Sequence, residues 1–212
     1  MAEVKIAADS GGGSVALKGP ASTTSNAAVN LTLPQNDGDA DQVLSTNGSG
    51  VLSWAGSGKI LQVVSSHKVN AFATTSSSFV DVTDISRTID PIAASSKIYI
   101  VLSLHFGGAA GSYLGFNLLR GSTIVTKGTN GTGVMTNCTF GDFVDHQSKT
   151  YSNAYTFLDS PSYSVGDTLT YKLQVASLYN TLEVCINRSN AGTNDAYSMN
   201  GTSTITVMEV GA

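Results

Sequence analysis

The stretch Lys97-Ile98-Tyr99-Ile100-Val101-Leu102-Ser103-Leu104-His105-Phe106 decides the fold. Successive side chains of an extended strand point to opposite sides, so Ile98, Ile100, Leu102, Leu104 and Phe106 share one face. That face demands a core. The opposite face carries Tyr99, Val101, Ser103 and His105, which is half apolar. Such a face is expected to be partly covered, either by a loop of the same chain or by another subunit. Tyr99 and Val101 are the candidate inter-subunit residues.

The same period of two recurs on both sides of this stretch. Leu169, Tyr171, Leu173 and Val175 alternate with polar residues. Leu182, Val184 and Ile186 repeat the pattern, and Ile205 and Val207 close it. Phe116–Arg120 and Thr123–Lys127 flank Gly121-Ser122, a two-residue hairpin signal with glycine at the first turn position. Eight to ten strands at this spacing predict an antiparallel β-sandwich, jelly-roll-like, over residues 59–212. No stretch has helical periodicity beyond about two turns.

Residues 1–58 read differently. Apolar residues come in sparse groups: Val4/Ile6, Val15/Leu17, Val29/Leu31/Leu33, Val43/Leu44 and Val51/Leu52/Trp54. Gly11-Gly12-Gly13 permits a tight reversal, Pro34 ends a Val29–Leu33 strand, and Asn47-Gly48-Ser49-Gly50 marks a turn. Three short strands are expected before Pro34. Ala55-Gly56-Ser57-Gly58 reads as a short flexible joint. These apolar groups are too few to bury one another. The segment is either disordered or shares a core with identical neighbours, for which Val4, Ile6, Val15, Leu17, Val29, Leu31, Leu33 and Trp54 are the candidates.

Composition narrows the function. Charged residues make up 12% and hydrophobic ones 41%, with a net charge of −4. That charge is too low for a disordered chain. Eleven dispersed basic residues provide no stripe to neutralise phosphates, which argues against nucleic-acid binding. No apolar run reaches the ~18 residues of a membrane span. The N-terminus lacks the apolar core of a signal peptide, so assembly in a cytoplasm is expected. Cys138 and Cys185 sit in apolar stretches and are expected to be buried thiols, with a bridge left open if their strands are neighbours.

Motifs for chemistry fail on inspection. Gly56-Ser57-Gly58-Lys59 is followed by Ile60 and preceded by Ser53 where a phosphate-binding loop needs Ser/Thr and Gly. Asp37-Gly38-Asp39-Ala40-Asp41 opens like a calcium loop but has Gly48 at the twelfth position, so it reads as a solvated turn or a weak cation site between subunits. His67, His105 and His146 form no local metal pair. Asp145-His146 lacks a serine on a nucleophile elbow. No cofactor is expected. The loop Asn187–Gly201 places Arg188, Asn190, Asp195 and Tyr197 together, with Tyr179 and Asn180 as candidate neighbours. An aromatic ring among amides and carboxylates is what a sugar-contacting patch needs.

Three sets of motifs resemble small fibre proteins of tailed bacteriophages, of the marine and cyanobacterial type. One is Leu31-Thr32-Leu33-Pro34, Asp37-Gly38, Gln42-Val43-Leu44, Gly48-Ser49-Gly50 and Ser53-Trp54. The second is Ile6-Ala7-Ala8-Asp9-Ser10-Gly11-Gly12-Gly13. The third comprises Leu118–Ser122, Phe157–Pro161, Ile186–Ser189 and Ser203–Glu209. The resemblance implies a homotrimer with an interwound β stem (1–58) docked on other virion proteins, tail or capsid. Its β-sandwich head (59–212) would contact a host-surface glycan or protein. Fibres that plug into a tail usually begin with a larger attachment domain. Its absence keeps a capsid decoration protein as the alternative, with a glycan hydrolase a distant third.

Overall fold

The computed structural model describes residues 3–7, 14–18, 20–40, 42–56, 59–129, 136–191, 196 and 198–211, with the backbone alone for the first two segments and no side chain for Asn26. The chain forms two compact units, Met1–Ser57 and Gly58–Ala212. Among the described residues both are all-β, apart from a single 3-10 turn at Thr24–Asn26.

The N-terminal unit contains two hairpins. Strands β1 (Glu3–Ala7) and β2 (Ser14–Lys18) pair antiparallel, with Val4 opposite Leu17 and Ile6 opposite Val15. Strands β3 (Gln42–Thr46) and β4 (Leu52–Gly56) pair around the Asn47–Gly50 turn. Asn47 Oδ1 accepts from the Ser49 N–H at 2.8 Å and the Val51 N–H at 3.3 Å, which closes that turn. Gly48 and Gly50 take φ of +83° and +85°, open to glycine without steric cost. Trp54 donates from Nε1 to Asn36 O at 2.8 Å, and Gly38 lies on its ring so closely that a Cβ there would overlap it. Trp54 therefore has a half-buried seat within its own chain. The expected Val29–Leu33 strand is not formed. Thr32 alone makes a bridge to Val51, and Val29, Leu31 and Leu33 are 66%, 60% and 70% exposed. Among the described residues its pairing goes no further than Thr32 beside Val51, and Pro34 offers no N–H to extend a ladder.

The C-terminal unit is an antiparallel sandwich. One sheet holds β5 (Ile60–Lys68), β15 (Ser203–Val210), β8 (Lys97–Gly108), β14 (Val184–Ile186) and β6 (Phe72–Thr74), with β12 (Tyr151–Asp159) on the other edge of β8. The second holds β7 (Val80–Ile89), β13 (Leu169–Ser177), β9 (Ser112–Arg120), β10 (Thr123–Ile124) and β11 (Phe140–Val144). The alternation read from the sequence is obeyed. Ile98, Ile100, Leu102, Leu104 and Phe106 are buried, and they face Leu114, Phe116, Leu118, Tyr171, Leu173 and Val175 of the other sheet within one core. Each such side chain contributes about 1.5–3 kcal/mol of hydrophobic stabilisation.

Four expectations are corrected. The unit has more strands than eight to ten, because β6, β10 and β14 are pieces of two or three residues that sequence windows merge with loops. Strand β10 stops at Ile124 rather than Lys127, once its pairing with Leu119 ends. Leu182 lies in a turn ahead of β14, not on the strand. Both cysteines are free; Cys185 is buried in β14, whereas Cys138 is only half-buried beside the other sheet.

Candidate functional site

Strand β8 runs twelve residues, about 36 Å, from one end of the sandwich to the other. Its start, Lys97, pairs with Val210, which pairs with Ile60, so the chain enters the unit at this end. A groove of about 410 Å³ lies here, lined by Ser95–Lys97 and Ser160–Tyr163. The strand's other end leads through Ala109–Gly111 into β9. That far end also carries the turn after β11, the turn after β13 and the loop after β14.

Three exposed aromatic rings meet at the far end. Tyr113 on β9 stands opposite Phe143 on β11 in the antiparallel register, with ring centroids 4.7 Å apart. Tyr179 closes on Tyr113 edge to face at 5.7 Å. The rings remain 48%, 42% and 56% exposed. Their arrangement follows from the next residue on the same face of β9. Gly115 has no side chain, and Leu178 occupies that space, in reach of where a Cβ would stand. The Leu178 N–H donates to Tyr113 O at 2.8 Å, which seats Tyr179 beside Tyr113. Asn180 and Thr181 then take φ of +54° and +49°, and the Leu182 N–H reaches back to Tyr179 O at 3.5 Å. Two successive left-handed residues make this a type I′-like turn, and a β-branched threonine is strained there. A cleft of about 220 Å³ opens beside the rings; its described lining is Tyr113, Thr136, Leu178 and Tyr179.

The base of the 187–201 loop is tightly held. Buried Asn187 donates from Nδ2 to Lys68 O at 2.8 Å and Asn70 O at 3.1 Å, and its Oδ1 accepts from the Ser203 hydroxyl at 2.6 Å. Arg188 bonds Glu183 Oε1 from Nη2 at 2.8 Å and Ser189 O from Nη1 at 3.0 Å. With its amide turned to satisfy both ends, Asn190 donates to Glu183 Oε2 and accepts from the Ala109 N–H. Arg188 and Asn190 are thus both engaged with Glu183. Asp195 and Tyr197 lie outside the described residues. Tyr179, Asn180, Arg188 and Asn190 share the far end, but the partners of Tyr179 are Tyr113 and Phe143's cluster, which the sequence reading did not single out. The opposition of Tyr113 and Phe143 is a register effect, visible only once β9 and β11 are paired.

Other candidates resolve locally. Asp145 accepts from Lys149 Nζ at 2.8 Å and from the Tyr151 hydroxyl, and these bonds hold its carboxyl below the usual range. His146 Nδ1 instead accepts the Ser148 N–H at 3.2 Å. His105 lies half-buried against Gly201, with Nδ1 bonded to Ser152 Oγ at 3.2 Å, and burial lowers its pKa. Among the described residues no group of three or more His, Cys, Asp or Glu is placed to hold a metal ion. Asp41 of the candidate cation turn is not among them.

Tyr99 and Val101 are half-buried on the outer face of their sheet. Register places Val63, Met208, Tyr99 and Leu158 side by side across four strands, with Val63 and Leu158 55% and 46% exposed. This is an apolar row on the outside of the sandwich.

No family model matches the chain, and no curated protein matches it. Among solved structures it is similar to that of infectious bursal disease virus, Gx strain, at 14% identity and a TM-score of 0.36, covering 76% of this chain and 39% of that one. A T=1 particle derived from the same virus aligns at 15% identity and a TM-score of 0.25, over 76% of this chain and 42% of the other. The VP2 subviral particle gives 15% and 0.25, over 75% and 44%. The chain thus spans less than half the length of these structures, and at such scores the likeness carries no weight for function.

Proposed function

We propose that this chain is a non-enzymatic virion fibre protein: a homotrimer whose N-terminal segment forms the stem and docks on the particle, and whose β-sandwich contacts the host surface. One observation carries the reading. The sandwich has a complete core, whereas the N-terminal unit leaves Val29, Leu31, Leu33, Val43, Leu44 and Val51 between 46% and 70% exposed. Among the described residues its two sheets have two strands each, below what is independently stable in water. Identical neighbours supply the missing cover most simply, since each then offers the same apolar set. The fibre-like motifs in this segment support the same reading. The apolar row Val63–Met208–Tyr99–Leu158 offers a second contact between copies. Attachment needs no reactive group; weak contacts repeated over three chains and many fibres supply avidity.

Light scattering on the full chain and on a variant beginning at Lys59 tests this. A trimer that becomes a monomer without residues 1–58 supports the stem. Trimers in both place the interface on the sandwich, at the apolar row. A full-length monomer overturns the fibre and favours a capsid decoration protein whose N-terminal arm is covered by the shell. Shortened products after incubation with host polysaccharide would overturn the non-enzymatic assignment.

A further inference from the structure

We infer that Tyr113, Phe143 and Tyr179, with the cleft bounded by Thr136 and Leu178, form a binding subsite for one neutral sugar ring of a surface glycan. The inference deepens the attachment role proposed above and rests on it.

Four features select this ligand. A pyranose has an apolar C–H face and a polar rim. Exposed aromatic faces complement the first, and tyrosine adds a hydroxyl at its edge for the second. Here three rings are exposed, with Phe143 and Tyr179 each packed against Tyr113; two are tyrosines, and Thr136 adds a third hydroxyl at the cleft. None of the described lining residues is charged, which disfavours sialic acids, uronates and phosphates that would need a cationic partner. The cleft, about 220 Å³, suits one small ring rather than a protein surface, for which stable association buries roughly 800 Å² per partner. The strained Asn180-Thr181 turn persists because Leu178 and Leu182 hold its flanks, and it fixes Tyr179 at the rim. The cluster lies at the end of the sandwich opposite Lys59.

The test is saturation-transfer NMR on the full-length protein with the methyl glycosides of glucose, galactose and mannose, and with N-acetylneuraminic acid as the charged control. Transfer to the C–H protons of at least one neutral glycoside is expected, with none to the charged sugar. Tyr179→Ala and Phe143→Ala are each expected to weaken that binding about tenfold or more, while Tyr179→Phe, which keeps the ring, loses less. All three positions are surface-exposed, and unchanged circular dichroism of the variants confirms the fold. The inference is overturned if no neutral glycoside binds, or if binding is indifferent to both alanine variants. A change of oligomeric mass in those variants without sugar binding also overturns it, and assigns the rings to contact between copies. Cell adhesion separates the two readings: wild-type adhesion that survives both alanine variants sinks the sugar subsite and leaves the fibre standing. A wild-type protein that never adheres sinks the attachment role itself.

Discussion

Glu209 Oε1 accepts the Ala93 N–H at 3.0 Å, joining the last strand to a loop 116 residues earlier. Its Oε2 accepts the Ile92 N–H at 3.0 Å and Gln62 Nε2 at 2.7 Å, and the side chain is fully buried. Burial alone would raise its pKa, but the bonds from Ile92, Gln62 and Ala93 outweigh that and lower it. The ionised form therefore stabilises the fold. That contribution is complete above the ordinary value of 4.5 and is lost as the pH falls through the depressed folded-state value. Glu209→Gln is expected to cost about 1.5–3 kcal/mol at neutral pH. It should also flatten the fall of Tm below pH 4.5. Thermal melts of both proteins from neutral to acidic buffers check this, and an unchanged acid limb would refute it.

Asp159 links the two sheets' ends. Its Oδ2 accepts the Tyr171 hydroxyl at 2.7 Å and the Arg120 guanidinium, and Tyr171 is fully buried. Burial, reinforced by the Asp159 carboxylate, pushes the Tyr171 phenol far up, so it stays a donor. Asp159→Ala strands both partners and is expected to cost about 3–5 kcal/mol. Tyr171→Phe removes one bond and should cost about 1–2 kcal/mol. The double variant should lose less than the sum of the two. Urea unfolding of the three variants measures each value.

Thr181 occupies a left-handed conformation that a β-branched side chain resists. Thr181→Gly creates Asn-Gly, the dipeptide preferred for this turn. An increase in stability of about 1 kcal/mol is expected, or roughly 2–4 °C in Tm for a protein of this size. A lower Tm would show that the threonine side chain makes a contact worth more than the strain.

The two cysteines should react differently. Burial pushes the Cys185 thiol up to about 11, whereas Cys138 is half-buried. A thiolate-specific reagent on the native protein is expected to modify Cys138 alone, and both residues after denaturation. Mass spectrometry of the labelled peptides distinguishes them. Native modification of Cys185 would mean that β14 opens readily.

The sandwich was legible because alternation is a one-residue property. Placing Ile98 inward places Ile100, Leu102, Leu104 and Phe106 inward too, wherever the partner strands lie. The Asn47–Gly50 and Gly121-Ser122 turns were legible for a related reason: glycine's freedom at positive φ is local. The Val29–Leu33 strand was misread because a strand exists only with a neighbour to pair with, and propensity names none.

The amino-acid sequence by itself determined the all-β class, the inward face of each long strand and the shortage of core in residues 1–58, since all three depend on pattern and composition along the chain. Only the tertiary structure decided that Tyr113 faces Phe143, that Tyr179 joins them, and that Arg188 and Asn190 converge on Glu183. Those meetings depend on strand register and on a missing side chain at Gly115. A register is set by the whole sheet's packing, and a shift of one residue in β11 would send Phe143 to the face away from Tyr113.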